Sequence, residues 1–319
     1  LKQVYTFGTY LKEKFDAKVY KVPVSILGFT CPNIDGSVAK GGCTFCENDS
    51  FSPSLDSVKP LKGFYLNLES THNPHLEKQL LQLEKQFEVM SEKQKREYGA
   101  EKFLVYFQSF TNTYAPFETL KALYDKALSF DNVVGLSIGT RSDSVTEEVL
   151  AYLQELSREK EIWIEFGIQS VFDTTLERIN RGHDAANVKE WIQKSKAYGL
   201  NVCGHLIFGL PGEDHTMMME TARQAYTLGI DSVKYHPLYV VKRTALANEY
   251  ARGEFTPISE EEYLKVLIEA ITLKPENIHV QRITAGIDDD SLIAPQWCRN
   301  RNDQIRHINK ALKEVGLKY

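Results

Sequence analysis

Long apolar runs are missing from this chain of 319 residues, and no stretch approaches the eighteen or so apolar residues that a membrane-crossing helix needs. Cysteine is scarce as well. There are five, three of them bunched between positions 31 and 46. That usage excludes the dense disulfide framework of small secreted domains and leads us to expect a reducing, cytoplasmic setting. The surplus of positive charge that coats many nucleic-acid-binding proteins is absent too, with 38 Lys and Arg against 43 Asp and Glu and a formal charge of −5. Internal sequence repeats and low-complexity tracts are lacking. What remains is a chain with 42% hydrophobic residues, enough to bury a sizeable core.

The most informative feature is the spacing of Cys31, Cys43 and Cys46, which reads C-x11-C-x2-C. Three thiolates on a cubane iron–sulfur cluster leave one iron free to bind a cofactor or substrate, so the pattern reads as a reactive site. A structural zinc site is the alternative. It needs a fourth ligand, and Cys203, Cys298, His72 and His75 all lie well outside the cysteine loop. Phe45, between the close pair, is suited to shielding one side of a cluster.

Short runs rich in β-branched and aromatic residues alternate with amphipathic stretches along the chain, the signature of βα units around a parallel sheet. Strands are expected near 20–29, 102–108, 132–139, 161–169, 201–208 and 231–237. Helices are expected near 75–97, 116–130, 145–159, 172–198 with a break, and 213–228. In the first helix Leu76, Leu80, Leu83, Phe87 and Met90 form the packing face, and the polar face is expected to meet water. Asp184 reads as an N-cap and Gly199 as a helix stop. From about 239 the rhythm changes to a polar loop (240–257), a helix (259–273), one further strand (277–283) and a last helix (302–317). This divides the chain into a core, 1–238, and an extension, 239–319.

Strand side chains alternate between faces, and the outer face of a helix-covered parallel sheet is apolar. Ile162, Ile164, Phe166 and Ile168 fall on one face, leaving Glu165, Gly167 and Gln169 on the other. Likewise Val134, Leu136 and Ile138 read outward, with Gly135, Ser137 and Gly139 inward. Cys203, His205, Ile207 and Gly209 share one face of the fifth strand, Lys234 and His236 one face of the sixth, and the second strand ends in Gln108. Polar groups recurring on the inferred inner face of several strands suggest a partly hydrated lumen, open at the C-terminal strand ends where the cysteine loop also emerges. A buried polar network without catalytic duty is the plainer reading of the same residues.

Three loops after strands add polar candidates. Gly209-Leu210-Pro211-Gly212-Glu213 is a tight turn with positive φ at Gly212, where backbone can approach a flat ligand such as an adenine beside Ile207. Thr111-Asn112-Thr113-Tyr114 offers hydroxyls and an amide for an amino-acid headgroup, or else simply leads into a helix at Pro116. Arg181, in Asn180-Arg181-Gly182-His183-Asp184, is suited to gripping a carboxylate, or else to pairing with a helix acid.

Taken together these residues resemble the radical S-adenosylmethionine (SAM) superfamily. The three-cysteine loop after the first strand, the aromatic before its last cysteine, the six βα units and the Gly-Leu-Pro-Gly-Glu turn match that pattern. The long gap between Cys31 and Cys43 departs from the common C-x3-C-x2-C and is similar to the YhcC/YtqA-type subgroup, related to the catalytic subunit of Elongator. The stretches Tyr106 to Gln108, Thr111 to Pro116, Gly139 to Arg141, Glu165 to Ser170, Asn180 to Asp184 and His205 to Glu213 resemble that subgroup as well. Two departures stand beside them. Ser142 and Ser144 occupy positions where many relatives have Pro and Cys, and Arg243 stands where glycine is common.

The resemblance implies a partial (β/α)6 TIM-like barrel with a C-terminal α/β extension. It implies that Cys31, Cys43 and Cys46 hold a [4Fe–4S] cluster and that SAM is the second cofactor, with Gln169 at its ribose, Arg181 at its carboxylate, and Ile207 and Gly209 along its adenine. Gln108, Thr111 and Asn112 stand where the superfamily often binds the SAM amine. It implies a flavodoxin- or ferredoxin-type electron donor and hydrogen abstraction from a substrate carbon; Glu165, His205, Lys234 and His236, by their position on the inner face and not by any motif, are the candidate substrate contacts or proton handlers. For substrate it points to the wobble-uridine side chain of tRNA. Arg301, Arg306, Lys310, Lys313 and Lys318 near the C-terminus are compatible with RNA, although a solvated helix face is the plainer reading. A radical SAM enzyme acting on a small molecule or a protein is the alternative, and a non-catalytic zinc-binding interaction module the second. No sequence feature marks an obligate dimer.

Overall fold

A computed structural model describes residues 1–46 and 64–319. In chain order its elements are β1 (Lys2–Gln3), α1 (Phe7–Phe15), β2 (Val19–Val24), α2 (Leu76–Tyr98), β3 (Lys102–Phe107), α3 (Phe117–Leu128), β4 (Val133–Thr140) and α4 (Glu147–Leu156). There follow β5 (Glu161–Gln169), α5 (Asp173–Arg178), α6 (Ala185–Ala197), β6 (Asn201–Phe208), α7 (His215–Thr227) and β7 (Ser232–Pro237). The remainder comprises β8 (Val240–Val241), α8 (Ala245–Ala251), α9 (Glu260–Leu273), β9 (His279–Arg282), β10 (Leu292–Ala294), α10 (Arg301–Glu314) and β11 (Leu317–Lys318).

The main sheet is wholly parallel, in the order β2-β3-β4-β5-β6-β7-β9, and curls into a half-barrel. The six expected strands are β2 to β7, and β9 adds a seventh beside β7. Outer-face residues such as Val105, Ile138, Ile164, Val202 and Val233 are buried in one large apolar core with residues of the surrounding helices. That outer core is what lets the inner face be polar: most of the apolar burial, worth about 25 cal/mol per Å², lies outside the curl. Among the described residues no helix is long and apolar enough to cross a membrane.

The N-terminal end of the lumen is plugged. Phe7 and Leu11 of α1, a helix the sequence reading did not anticipate, pack with Leu104, Trp163 and Cys203. The Phe7 ring meets Trp163 edge-on, with centroids 4.9 Å apart. Glu161 beneath accepts from Tyr10 (2.7 Å), Lys14 (2.6 Å) and the Trp163 indole (2.8 Å). At the C-terminal end the cysteine loop leaves β2, and the described residues there enclose cavities.

Four details differ from expectation. A register shift at the start of β4, between the pairs Phe103–Val133 and Leu104–Gly135, places Val133 in the outer core and turns Val134 toward the plug, so Val134 does not share a face with Leu136 and Ile138. The expected polar loop 240–257 contains β8 and α8; Thr244 caps α8 by accepting from Ala247 N at 3.1 Å, and Leu246 is fully buried. Arg243, noted in the sequence as a departure from the pattern, has φ 68°, the left-handed region that favours glycine. Finally, the polar face of α2 is not all solvated. Gln86 accepts from Ser25 N (2.8 Å) and donates to Ser25 O (2.8 Å), Gln82 accepts from Leu27 N (3.0 Å), Gln79 donates to Leu27 O (2.5 Å), and Gln94 donates to Lys21 O (2.8 Å). These glutamines, spaced along one helix face, cover the open edge of β2 with hydrogen bonds.

Gln86→Leu keeps the bulk and removes both bonds to buried main chain, so we expect unfolding free energy to drop by about 2 kcal/mol. Urea denaturation checks this, with exposed Leu81→Ala as a neutral control; equal midpoints for both variants would show that the β2 edge does not depend on this helix.

Candidate active site

The cysteine loop is docked on the turn after α5. Asn33, fully buried, donates to Asn180 O (2.6 Å) and Arg181 O (2.8 Å), while Asn180 reciprocates to Gly42 O at 2.7 Å and Thr44 N donates to Ile179 O at 3.0 Å. Gly182 (φ 84°) completes the turn, and a Cβ there would lie 2.5 Å from Asn33 Oδ1. The three cysteines consequently line one cavity of about 160 Å³, together with Gln108, Gln169 and Arg181. None forms a disulfide. Two guanidiniums approach the sulfurs: Arg141 Nη1 is 3.8 Å from Cys31 Sγ, and Arg181 Nη1 is 3.7 Å from Cys43 Sγ.

Gly167 explains how Arg181 and Gln169 reach this cavity. An added Cβ would sit 2.6 Å from Arg181 Nη2 and 2.7 Å from Gln169 Nε2, so the missing side chain is the space both occupy. Gln169 itself ends β5 at φ 65°, beside a register shift against β6. Gln169 Oε1 and Arg181 Nε are buried and have no hydrogen-bond partner among the described residues, a state that calls for a ligand.

The other expected contacts divide. Thr111 also lines the cysteine cavity. Asn112 lies behind it, its amide donating to Phe107 O (3.0 Å) and Gly139 O (2.8 Å) and so tying β3 to β4. Ile207 and His236 border an adjoining cavity of about 200 Å³ that shares Tyr106, Gln108, Gln169 and His205 with the first. Phe45 lines it too. Gly209 does not join this group: its φ is 90°, Ile258 sits 2.7 Å from where its Cβ would be, and it faces a separate cavity.

Deeper in the lumen the polar strand residues converge. Glu165, with no exposed surface, pairs with Lys21 of β2 and Lys234 of β7, accepts from Ser137 at 2.5 Å, and meets His205 Nε2 at 2.8 Å. Lys21 also donates to Ser137 (2.9 Å) and Gln281 (2.7 Å), and Lys234 to the Tyr106 hydroxyl (3.0 Å). Both ammoniums also lie near the Tyr106 ring, 4.6 and 4.4 Å from its centroid. Burial opposes charge on Glu165, but Lys21 and Lys234 hold its carboxyl well below the usual range. Burial pushes Lys21 down to about 8 and His205 down to about 4, and keeps His236 well below an ordinary histidine. His205 is thus neutral at pH 7. Its Nε2 carries the proton that Glu165 accepts, leaving Nδ1 as an acceptor. Glu165, Cys203 and His205 have ligand atoms within 4.8 Å of one another, yet the Lys21 and Lys234 ammoniums already neutralise the carboxylate, so the trio borders an ion-pair network and is not a cation site.

The radical SAM superfamily profile matches residues 36–225, and the radical SAM C-terminal domain profile matches 230–314. The chain belongs to the radical SAM superfamily. It is 36% identical over 315 residues to YtqA of Bacillus subtilis (strain 168), covering 99% of this chain and 91% of the relative. It is 35% identical over 317 residues to YhcC of Escherichia coli (strain K12), covering 99% and 94%. A shorter match, 31% over 157 residues, covers 48% of this chain and 29% of the tRNA uridine(34) acetyltransferase of Methanocaldococcus infernus. Among solved structures, the Elp3 of that archaeon with its N-terminus deleted (1–46) superposes with a TM-score of 0.61 at 20% identity, covering 95% of this chain and 64% of that one. This radical SAM protein is therefore of the YhcC/YtqA type, related to the Elongator subunit, and its curled parallel sheet is the fold of that relative.

For a radical SAM protein the donor set at the mouth is fitting. Three cysteines, none of them in a disulfide, face one cavity beside two guanidiniums, and an unpartnered amide oxygen and guanidinium nitrogen await a polar ligand. Four residues of the site were not among the sequence's site candidates, although Tyr106 and Arg141 bound stretches matched there to the subgroup. Lys21 and Tyr106 follow from the same alternation rule applied to β2 and β3, and Arg141 stands at the end of β4 as Arg181 stands after α5. Arg282 lies at the end of β9, which was read as part of the extension.

Two outcomes test the lumen charges. Glu165→Gln leaves two ammoniums buried without their counter-ion and should cost about 3–5 kcal/mol, with part recovered in a Glu165→Gln/Lys234→Met double variant. A single variant as stable as wild type in urea would contradict the network. Because the folded protein resists protonation of His205 until about pH 4, the unfolded chain binds more protons between pH 6.5 and 4, and stability falls as pH is lowered through that window. Urea midpoints from pH 7 to 4.5 should decline less steeply in His205→Gln, and an unaltered slope would remove His205 from the account.

Proposed function

We propose that this protein is a radical SAM enzyme acting on the wobble-uridine side chain of tRNA. The observation that carries the enzymatic part is the pair of adjoining cavities joining the three cysteines to the charged lumen. Cys31, Cys43 and Cys46 would hold a [4Fe–4S] cluster, with Arg181, Gln169, Gln108 and Thr111 contacting SAM. When bound, these groups supply one-electron cleavage of SAM and hydrogen-atom abstraction from a substrate carbon. The protein's own residues do the rest. Arg181 and Arg141 offset thiolate charge; Phe45, Ile207 and Tyr239 exclude water; Glu165 keeps Lys21 and Lys234 in place; His205 offers Nδ1 as an acceptor for a substrate proton. A flavodoxin- or ferredoxin-type donor would supply the electron, in the cytoplasm.

The tRNA part is supported by the likeness to a relative named for tRNA uridine 34. A 5-carboxymethylaminomethyl group on that base offers a C–H bond flanked by nitrogen and carboxylate, from which hydrogen is readily removed.

Anaerobic reconstitution with iron and sulfide, reduction with dithionite and addition of SAM should yield 5′-deoxyadenosine, at least a hundredfold less in Cys43→Ala. A preparation that binds one zinc and no iron would instead support an interaction module. Nucleoside analysis of tRNA from cells lacking the protein should show an altered wobble-uridine modification. An unchanged profile, with tRNA binding no steeper in salt than that of an unrelated acidic protein, would favour a small-molecule or protein substrate.

A further inference from the structure

The cavity beside the cysteines contains a strong donor that the described residues leave unused. Arg282, partly buried at the end of β9, lines the 200 Å³ cavity with Tyr106, Gln108, His205, His236 and Tyr239. Its guanidinium makes no hydrogen bond or ion pair among the described residues. The chain brings it there by a register shift: β7 and β9 pair Val233 with Val280 but Lys234 with Arg282, so the extra residue, Gln281, bulges and both Gln281 and Arg282 turn inward.

No carboxylate lines this cavity among the described residues. The nearest in the lumen, Glu165, already accepts from Lys21 and Ser137 on one oxygen and from Lys234 and His205 on the other, which uses its four acceptor positions. Among the described residues the lumen therefore carries three cations against one anion, and the surplus cation is Arg282, which faces the cavity without a counter-charge. His236 Nε2, in the same wall, is buried and also lacks a partner. Burying a cation without a counter-charge is costly, and a guanidinium matches a planar carboxylate through two parallel hydrogen bonds.

We propose that Arg282 is the specificity residue of this site and seats a carboxylate carried on a short arm of the substrate, between Tyr106 and His236. One unpaired guanidinium matches one monoanion, and the small cavity admits a short arm and not a whole nucleotide. The proposal rests on the reading that this cavity receives substrate, and it adds the chemical group that is read and the residue that reads it. Arg282 comes from outside the six βα units, so selection of the substrate falls to the C-terminal part of the chain while SAM contacts come from the units before it.

The test uses the reconstituted protein with SAM and two synthetic anticodon stem-loops that differ only at the wobble uridine, one bearing 5-carboxymethylaminomethyl and the other 5-aminomethyl, alongside the two free nucleosides. Equilibrium binding of wild type should favour the carboxylate-bearing member of each pair by roughly tenfold. Arg282→Gln should erase that preference while leaving affinity for the aminomethyl member within about twofold, and Arg282→Lys should keep part of it. A preference that survives in Arg282→Gln, or a wild type that binds stem-loops without preference, overturns the assignment and leaves the tRNA reading standing. Arg282-dependent preference among the nucleosides with no specific stem-loop binding upholds the assignment and overturns the tRNA reading. Binding of neither pair overturns both.

Discussion

A single buried carboxylate ties the half-barrel together across its lumen. Glu165 lies on the central strand, and its two ammonium partners come from strands three places to one side and two places to the other. Side chains so far apart along a flat sheet could not share one carboxylate. The curl makes the ion pairs attainable, and the ion pairs oppose flattening of the curl. In stability terms a packed apolar lumen would do as well, since desolvating three charges offsets much of their attraction. What charge adds is a set of oriented donors and a neutral histidine held by one nitrogen, which an apolar lumen would lack. The α1 plug and the outer core carry the apolar burial, so the lumen is released from that duty.

Above the lumen, the cysteine loop depends on a second lock. Asn33 and Asn180 exchange hydrogen bonds with each other's segments, and Gly182 leaves the room in which Asn33 sits. The turn that positions Arg181 is thereby the same turn that positions Cys43. A displacement of either would move thiolate and guanidinium together, which keeps their 3.7 Å spacing constant. Gly167 supplies the matching vacancy on β5. The long gap between Cys31 and Cys43 is explained by this docking, because the extra residues are those that span to the turn after α5.

Much of the architecture could be read from the chain. Runs of β-branched and aromatic residues located six strands, and period-two alternation drew Glu165, His205, Lys234 and His236 to the inner face, where they meet. The rule failed where strands bulge. Val134 was assigned to the wrong face because β4 begins with a register shift, and Arg282 escaped because Gln281 interrupts the alternation of β9. Lys21 obeyed the rule but sits in an edge strand beside Pro23, where an exposed lysine is ordinary. Gly212 carries the positive φ its turn suggested, but Gly209 is also left-handed and its missing side chain accommodates Ile258, a contact between segments far apart in sequence that no local pattern encodes. The helix α8 was hidden for a related reason, being short and held by Leu246 in a cluster with Leu210 and Leu238.

The glutamines of α2 have a mechanical meaning beyond satisfying an edge. Four amides meet main-chain groups at three positions of one segment, Lys21, Ser25 and Leu27, and each reaches its own target. Rolling the helix about its axis, or sliding it by one residue, would break all four at once and offer no equivalent set nearby. The contact works like the teeth of a key: it admits one setting. Apolar ridges alone tolerate small slips at little cost, whereas this interface does not. The strand that launches the cysteine loop is therefore indexed against its neighbouring helix, and any opening of the mouth must come from the other rim, where β7 and β9 meet.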